Sequence, residues 1–594
     1  MTCSWGECRT VVQEGLDGLA MNKFKESESL FSTALDQLEA SSNPDPAIKA
    51  MYRMGLGCVA LAEGFAASAL DRLNEALPQL WKAEAEAAQA NTWIGVQLVR
   101  GVSLLFGGMI QILQKENVKG GLNLTKAWSI IKPAAEEGLV YQGENADMVR
   151  SMSLFLLGGM NLLVSILPPA IVSVAGFAGF DGKRSRALNR LRQCWKEQGL
   201  FSAFAALVIL NFHILARPLI FEKQTPVETA LCEQLLSWGE QKFPGSLLFE
   251  LFRGLHLLTI HKHEEAIQVF GPGCHASEVA TLKMIFLYKR GFAKLITLDF
   301  EAAAEDFAAG ANSQIQSGRF SYVPACKCIE ALCLLLIGKS EISRVSDCWE
   351  EVERQRGKHI ELMMPSDLWS LRKAEHYGRK QISDCKSCVR KMAAIDLFYG
   401  PVLFLASMAD KIAPKTRKLV KALLVGDCEC DLPINYQCQR EVFLAELSRQ
   451  DRKRSAALDH LESVLEIANA AEDAERNTGW FGSSSTPGKN SLCLASEAVV
   501  PIALLWQAAI FVEAKEAEAA LEGLKELDDG LARDAGILGI GLNAIGIAAD
   551  TGTEFDVFLK FRRSGLKRLA DQIGNEEEDD DLDLVDFESP SDNK

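Results

Sequence analysis

The chain has 594 residues, 48% hydrophobic and 24% charged, enough apolar material to bury a large core in several domains or one long array of repeats. A formal net charge of −16 argues against a protein built to bind nucleic acid or anionic lipid through its overall charge. The opening "MTCSWGECRTVVQEG" has no basic stretch leading into an apolar one, so no secretory signal is expected, and sixteen cysteines scattered through apolar runs fit reduced intracellular thiols.

Apolar residues recur at helical spacing almost throughout, and no alternating strand pattern bounded by hairpin turns stands out. The expected fold is all-α: a tetratricopeptide-like α-solenoid with extra inserted helices and a disordered acidic C-terminal tail. Two helices joined by a short turn need small residues where their backbones approach and a large apolar residue to lock the pair. Within residues 1–150, Gly15, Gly18, Ser27, Phe31 and Ala34 meet that requirement, and a fainter copy is Gly57, Ala60, Ala69, Leu73 and Ala76. The breaker "SSNPDP" (41–46) separates the two.

Residues 151–220 hold two uncharged runs, Ser151 to Phe180 and Gln198 to Ala216, joined by the basic amphipathic stretch "DGKRSRALNRLRQCWKEQG". Both runs are about long enough for a membrane helix. Pro168 and Pro169 cut the first, however, and Asn211 with His213 sits in the second. Buried solenoid helices are the favoured reading, with peripheral lipid contact and true spans as alternatives. In the peripheral case Leu163, Ile166 and Leu167 touch lipid, while Lys183, Arg184, Arg186 and Arg190 meet anionic headgroups.

Repeats resume over 221–476. Gly254, Leu257, Ala266, Phe270 and Gly273 form one copy, Gly291, Lys294, Ala303, Phe307 and Gly310 a second, and Ala445, Ser448, Ala457, Leu461 and Val464 a fainter third. An exposed loop is expected over 477–492 and a C-terminal helical repeat over 493–574, with Leu505, Ala508, Ala517, Leu521 and Leu524 as its weak signature. The tail, 575–594, is too acidic to bury a core. Its Leu584, Val585, Phe587 and Glu588 sit in a short apolar-acidic pattern that could anchor in a partner's groove.

Chemistry-bearing motifs are weak. Cys385-x-x-Cys388 lacks a second pair at zinc-finger spacing, His261-x-His263 falls in a predicted turn, and "GILGIGLNAIG" (536–546) has helical neighbours rather than a strand. No catalytic residue, cofactor or metal is expected, although an enzyme site without a recognisable motif stays open.

"LLGGMNLLVSILPPAIVSVAGFAGFDGKRSRALNRL" (156–191), "KFPGSLLFELFRGLHLL" (242–258) and "LYKRGFAKLITLDFEAAAEDF" (287–307) resemble the tetratricopeptide repeat protein 39 and fungal inclusion body clearance family. The likeness covers most of the chain. It implies a non-enzymatic cytoplasmic scaffold that binds a protein or peptide, with lipid droplets, the mitochondrial outer membrane or the nucleus as further addresses. It also implies a link to lipid homeostasis or to droplet-assisted clearance of protein inclusions.

Overall fold

In the computed structural model, helix is the only regular structure among the described residues. These are residues 4–525 apart from interior stretches, the longest being 167–182 and 479–498, plus a few positions between 563 and 570. The first helices are α1 (Trp5–Ala20), α2 (Phe24–Glu39), α3 (Pro46–Ala67), α4 (Leu70–Ala90), α5 (Ile94–Leu113), α6 (Asn117–Gly138) and α7 (Ala146–Ile166). Next come α8 (Arg184–Lys196), α9 (Ser202–Asn211), α10 (Pro226–Lys242), α11 (Leu247–Thr259), α12 (His263–Ala276), α13 (Ala280–Ile296) and α14 (Phe300–Gln316). The last are α15 (Val323–Ile337), α16 (Ile342–Arg354), α17 (Pro365–Gly378), α18 (Lys386–Phe404), α19 (Pro414–Val425), α20 (Ile434–Gln450), α21 (Arg454–Thr478) and α22 (Val499–Glu513).

Local sequence sets the helix starts. Ser4 and Glu7 form a reciprocal capping box at α1, and Thr225 and Glu228 form another at α10, where Pro226 takes the first helical position that needs no N–H.

Four hairpins, α1–α2, α11–α12, α13–α14 and α20–α21, share one turn. Asn22, His261, Leu298 and Arg452 hold the left-handed conformation, with φ of 62°, 62°, 66° and 58°. The next residue's N–H reaches back to the first helix: Lys23 to Gly18, Lys262 to Leu257, Asp299 to Lys294 and Lys453 to Ser448, at 2.8–3.0 Å. This closing bond satisfies a carbonyl that the helix end would otherwise leave open.

The small-to-large pairs sit across the hairpins. A Cβ on Gly15 would lie 2.3 Å from Phe31, one on Gly254 2.2 Å from Phe270, and one on Gly291 3.0 Å from Phe307. Only hydrogen fits at the first two, so the ring packs directly on backbone. The α3–α4 hairpin departs from the expected register. Gly57 faces Leu80 rather than Leu73, and Leu73 covers Gly64. The longer α3 runs on before it turns, which slides the pairing by two helical turns.

The array also closes on itself. The Ser246 hydroxyl, at the start of α11, donates to the Ala20 carbonyl at the end of α1, 2.6 Å away. Leu282 of α13 joins the core built by α1–α7, and Ile285 packs against it. The boundary drawn at residue 150 falls inside α7. Met148, Val149 and Met152 belong to the N-terminal core, while Leu154 and Leu162 belong to the larger following one. That helix contributes to both cores.

A buried polar knot fastens α17, α18 and α20. Lys373 Nζ lies 2.6 Å from Asp396 Oδ1, and the Tyr377 and Tyr436 hydroxyls each donate to Oδ2 at 2.7 Å. The carboxylate is completely buried, so its three partners replace the water it has lost.

Candidate interaction site

The sequence-expected packing residues are interior. Phe31, Ala266, Phe270, Ala303 and Phe307 are fully buried, and Gly15, Gly254 and Gly291 lie beneath the rings. They hold hairpins together and offer nothing to a partner.

The central helices present more surface. Helices α5 and α7 are each long and apolar enough to cross a membrane, with two-thirds of the apolar window buried against protein in both. The sequence reading missed α5, whose single charge, Arg100, bonds Glu84 at 2.9 Å. The second uncharged run makes no single long helix. α9 has ten residues and continues through a π-helical turn, Phe212–Ala216. Asn211 faces solvent and His213 is buried.

Leu163 is exposed on the last turn of α7, and Ile166 is half-buried against the core. Leu167 lies outside the described residues. Gly138 of α6 sits against Ser153 of α7, and Gly120 of α6 against Ile112 of α5. With that register the exposed Ile112, Val118 and Leu122 lie towards the same end of these helices as Leu163. Only Leu163 of these four was singled out from sequence.

Lys183 and Arg186 are exposed, as a headgroup-facing role requires. Arg184 is different. Its guanidinium donates to the Ser165 carbonyl at 3.4 Å and lies 5.4 Å from the Phe212 ring centroid. It therefore caps α7, where a cation offsets the open carbonyls, and part of its expected outward reach is lost.

Behind Arg184 lies a concentration of charge. Glu228 on α10 is paired with Arg217 and accepts from the Thr225 N–H at 2.8 Å. Burial works to raise its pKa, but Thr225 and Arg217 hold it below the usual glutamate value. His213 is pushed down to about 4, first by burial and further by Arg217, Arg192 and Arg184, with Glu228 opposing. Burial likewise lowers the pKa of Arg192.

Among the described residues no group of three or more His, Cys, Asp or Glu side chains is placed to hold a metal. His261 forms the left-handed turn and His263 opens α12. Cys326, Cys328 and Cys333 are buried thiols, each raised in pKa by burial. Cys388 is disulfide-bonded, which departs from the expectation of reduced thiols throughout. The loop expected from 477 starts later, because α21 runs on to Thr478. Cys385, the remaining 479–492 stretch, the 536–546 motif, and Leu584, Val585, Phe587 and Glu588 lie outside the described residues.

Residues 14–404 match the family described as Iml2/Tetratricopeptide repeat protein 39. The chain belongs to that family. The region matched by Iml2/Tetratricopeptide repeat protein 39 runs from within α1 to the end of α18, so it includes the closure of the array and all of the central helices. Matching solved structures include a chain of the crystal structure of the APC/C hetero-tetramer Cut9–Hcn1, at 12% identity over 88% of this chain and 96% of that chain. Its TM-score of 0.23 is too low for an argument about how the hairpins stack here. Helical repeats of this family's kind commonly serve as protein-interaction scaffolds.

Proposed function

We propose that the protein is a non-catalytic scaffold that holds a protein or peptide on the exposed faces of its helical array. Membership of the Iml2/Tetratricopeptide repeat protein 39 family is the observation that supports this most. Stacked hairpins offer a long continuous surface, which serves binding without a catalytic pocket. By the same resemblance, the task belongs to lipid homeostasis or to droplet-assisted clearance of protein inclusions. The address is the cytoplasm, with lipid droplets, the mitochondrial outer membrane or the nucleus alongside. The tail residues Leu584, Val585, Phe587 and Glu588 give a second contact. Crosslinked affinity capture from cells, comparing full-length protein with a deletion of 575–594, tests the division of labour. Partners retained by the deletion and crosslinked to the array support the reading. A partner set lost wholly with the tail refutes it.

A second reading is peripheral lipid contact through 151–216. The exposed Leu163 at the end of α7, followed by a basic helix, favours it. Leu122 and Leu163 are both exposed, so Leu122→Asp with Leu163→Asp leaves the fold intact. Flotation with droplets or vesicles that survives the double change removes this reading.

A further inference from the structure

Helix α19 carries Lys415, Arg417, Lys418 and Lys421 and no carboxylate. Its inner side buries Val420 and Leu424 in the larger core. Arg417 and Lys421 share Asp451, in the turn between α20 and α21, at 2.9 and 3.1 Å. The outer side is unlike that of the other helices. Leu419, Leu423 and Val425 are exposed, Leu419 by 61%, with Ala422 between them and the exposed Lys418 beside Leu419. Positions 418, 419, 422 and 423 fall on one face at helical spacing. Ten large apolar side chains are exposed among the described residues, and three of them belong to this twelve-residue helix. The basic helix α8, by contrast, exposes only Ser185, Arg186, Asn189, Gln193 and Lys196. An apolar stripe and unshielded positive charge therefore meet on α19.

Residues 575–594 carry the complementary pattern. They hold ten carboxylates against one lysine, and Leu582, Leu584, Val585 and Phe587 stand among Asp583, Asp586 and Glu588. Alternate side chains of an extended chain share one side about 6.6 Å apart, close to the roughly 6 Å that separates residues four apart along a helix. Leu582 with Leu584, or Val585 with Phe587, thus has the spacing of Leu419 with Leu423. With the six carboxylates 576–581 laid towards Lys418, they also approach the positive end of the α19 dipole. Reach is sufficient. Leu566 is buried in the same core as Val420 and Leu424, and α20 packs against both α19 and α22. The twelve residues from the buried Ala570 to Leu582 can extend about 40 Å, the width of about four packed helices.

We propose that the outer face of α19 is the docking site for residues 576–588 of the same chain. The four apolar side chains seat along Leu419, Ala422, Leu423 and Val425, and the carboxylates face Lys418. A small contact is enough within one chain, because a short tether holds the segment at roughly millimolar effective concentration. A partner that captures the tail must first displace it from α19, so the contact regulates access to both surfaces. The inference goes beyond the interaction role proposed above and does not depend on it.

The test treats full-length protein with a carbodiimide, which joins a lysine amine to an adjacent carboxylate, and maps the linked peptides of the monomer fraction. Wild type should show a link from Lys418 to a carboxylate between Glu576 and Glu588. Leu419→Ser with Leu423→Ser should reduce that link roughly tenfold. A second variant, Leu582→Ser, Leu584→Ser, Val585→Ser and Phe587→Ser together, should do the same and alters no residue of the array. Both variants keep every charge, so a loss reports apolar seating rather than general attraction between lysine and acid. Flotation with phosphatidylcholine vesicles containing phosphatidic acid tests lipid as the occupant instead. The proposal is overturned by no Lys418 link in wild type, by a link that both variants form at wild-type yield, or by a link found only between two copies. It is equally overturned by flotation that requires Leu419 and Leu423 while no tail link forms.

Discussion

Three glycines in adjacent hairpins allow a graded test of the packing. Replacing a mid-helix glycine by alanine gains about 1 kcal/mol of helix propensity. At Gly310 the new Cβ would meet Cys326 Sγ, Leu287 Cβ and Met284 Cγ at 3.6–3.7 Å, ordinary contact distances that add to burial. At Gly291 the Phe307 ring would be 3.0 Å away and must yield by a few tenths of an ångström. At Gly254 the Phe270 ring would be 2.2 Å away, more than 1 Å inside the roughly 3.5–4.0 Å separation of carbon atoms in contact. Phe270 is fully buried and cannot swing aside, so overpacking costs about 1–3 kcal/mol. Gly310→Ala should therefore stabilise, Gly291→Ala should be near neutral, and Gly254→Ala should destabilise. The two extremes should differ by about 2–4 kcal/mol once the buried methyl is included. Hydrogen exchange of α11–α14 reads the effect locally, which avoids forcing a two-state description on a long array. Phe270→Leu in the Gly254→Ala background should recover part of the loss, a coupling that separates ring collision from a general intolerance of change. Equal effects at Gly254 and Gly310 would refute the direct packing of ring on backbone.

Further predictions concern charge and backbone. Neutral His213 is stabilising above its ordinary pKa of about 6.5. As pH falls from there towards 4, the unfolded chain takes up a proton that the folded one refuses, and stability declines by about 3 kcal/mol. A His213→Phe variant, measured in chloride buffer, should lose that slope and keep the wild-type trend above pH 7. Asp396→Asn strands the buried Lys373 and should cost about 3–5 kcal/mol, most of it recovered when Lys373→Met is added. Denaturation of both variants beside wild type checks this. Arg452 is exposed and pays for its left-handed conformation, so Arg452→Gly should stabilise α20–α21 by about 1 kcal/mol, read from exchange protection of that hairpin.

The all-helical solenoid was legible because spacing of apolar residues is a local signal, and Gly254–Phe270 and Gly291–Phe307 repeat at one separation. The α3–α4 register was not. A weak copy at the usual spacing was available, but helix length decides the pairing, and nothing around residue 68 signals where α3 stops. The left-handed positions of the four shared turns were hidden for another reason. A glycine would have marked the left-handed position, whereas Asn22, His261, Leu298 and Arg452 fill it. The interior His213 was half-visible: its place in an apolar run is plain from sequence, while the π turn that carries it inside follows no simple period.

The Ser246–Ala20 bond sets an order of events during synthesis. The end of α1 finds that partner only after 226 further residues have been made, and Leu282 comes later still. At ordinary elongation rates the interval is roughly 10 to 50 s. Throughout it, the face of α1–α3 that later meets α11 and α13 has no mate. A nascent chain in that condition needs a chaperone, or a delay in hairpin formation, to keep that face from the wrong neighbour.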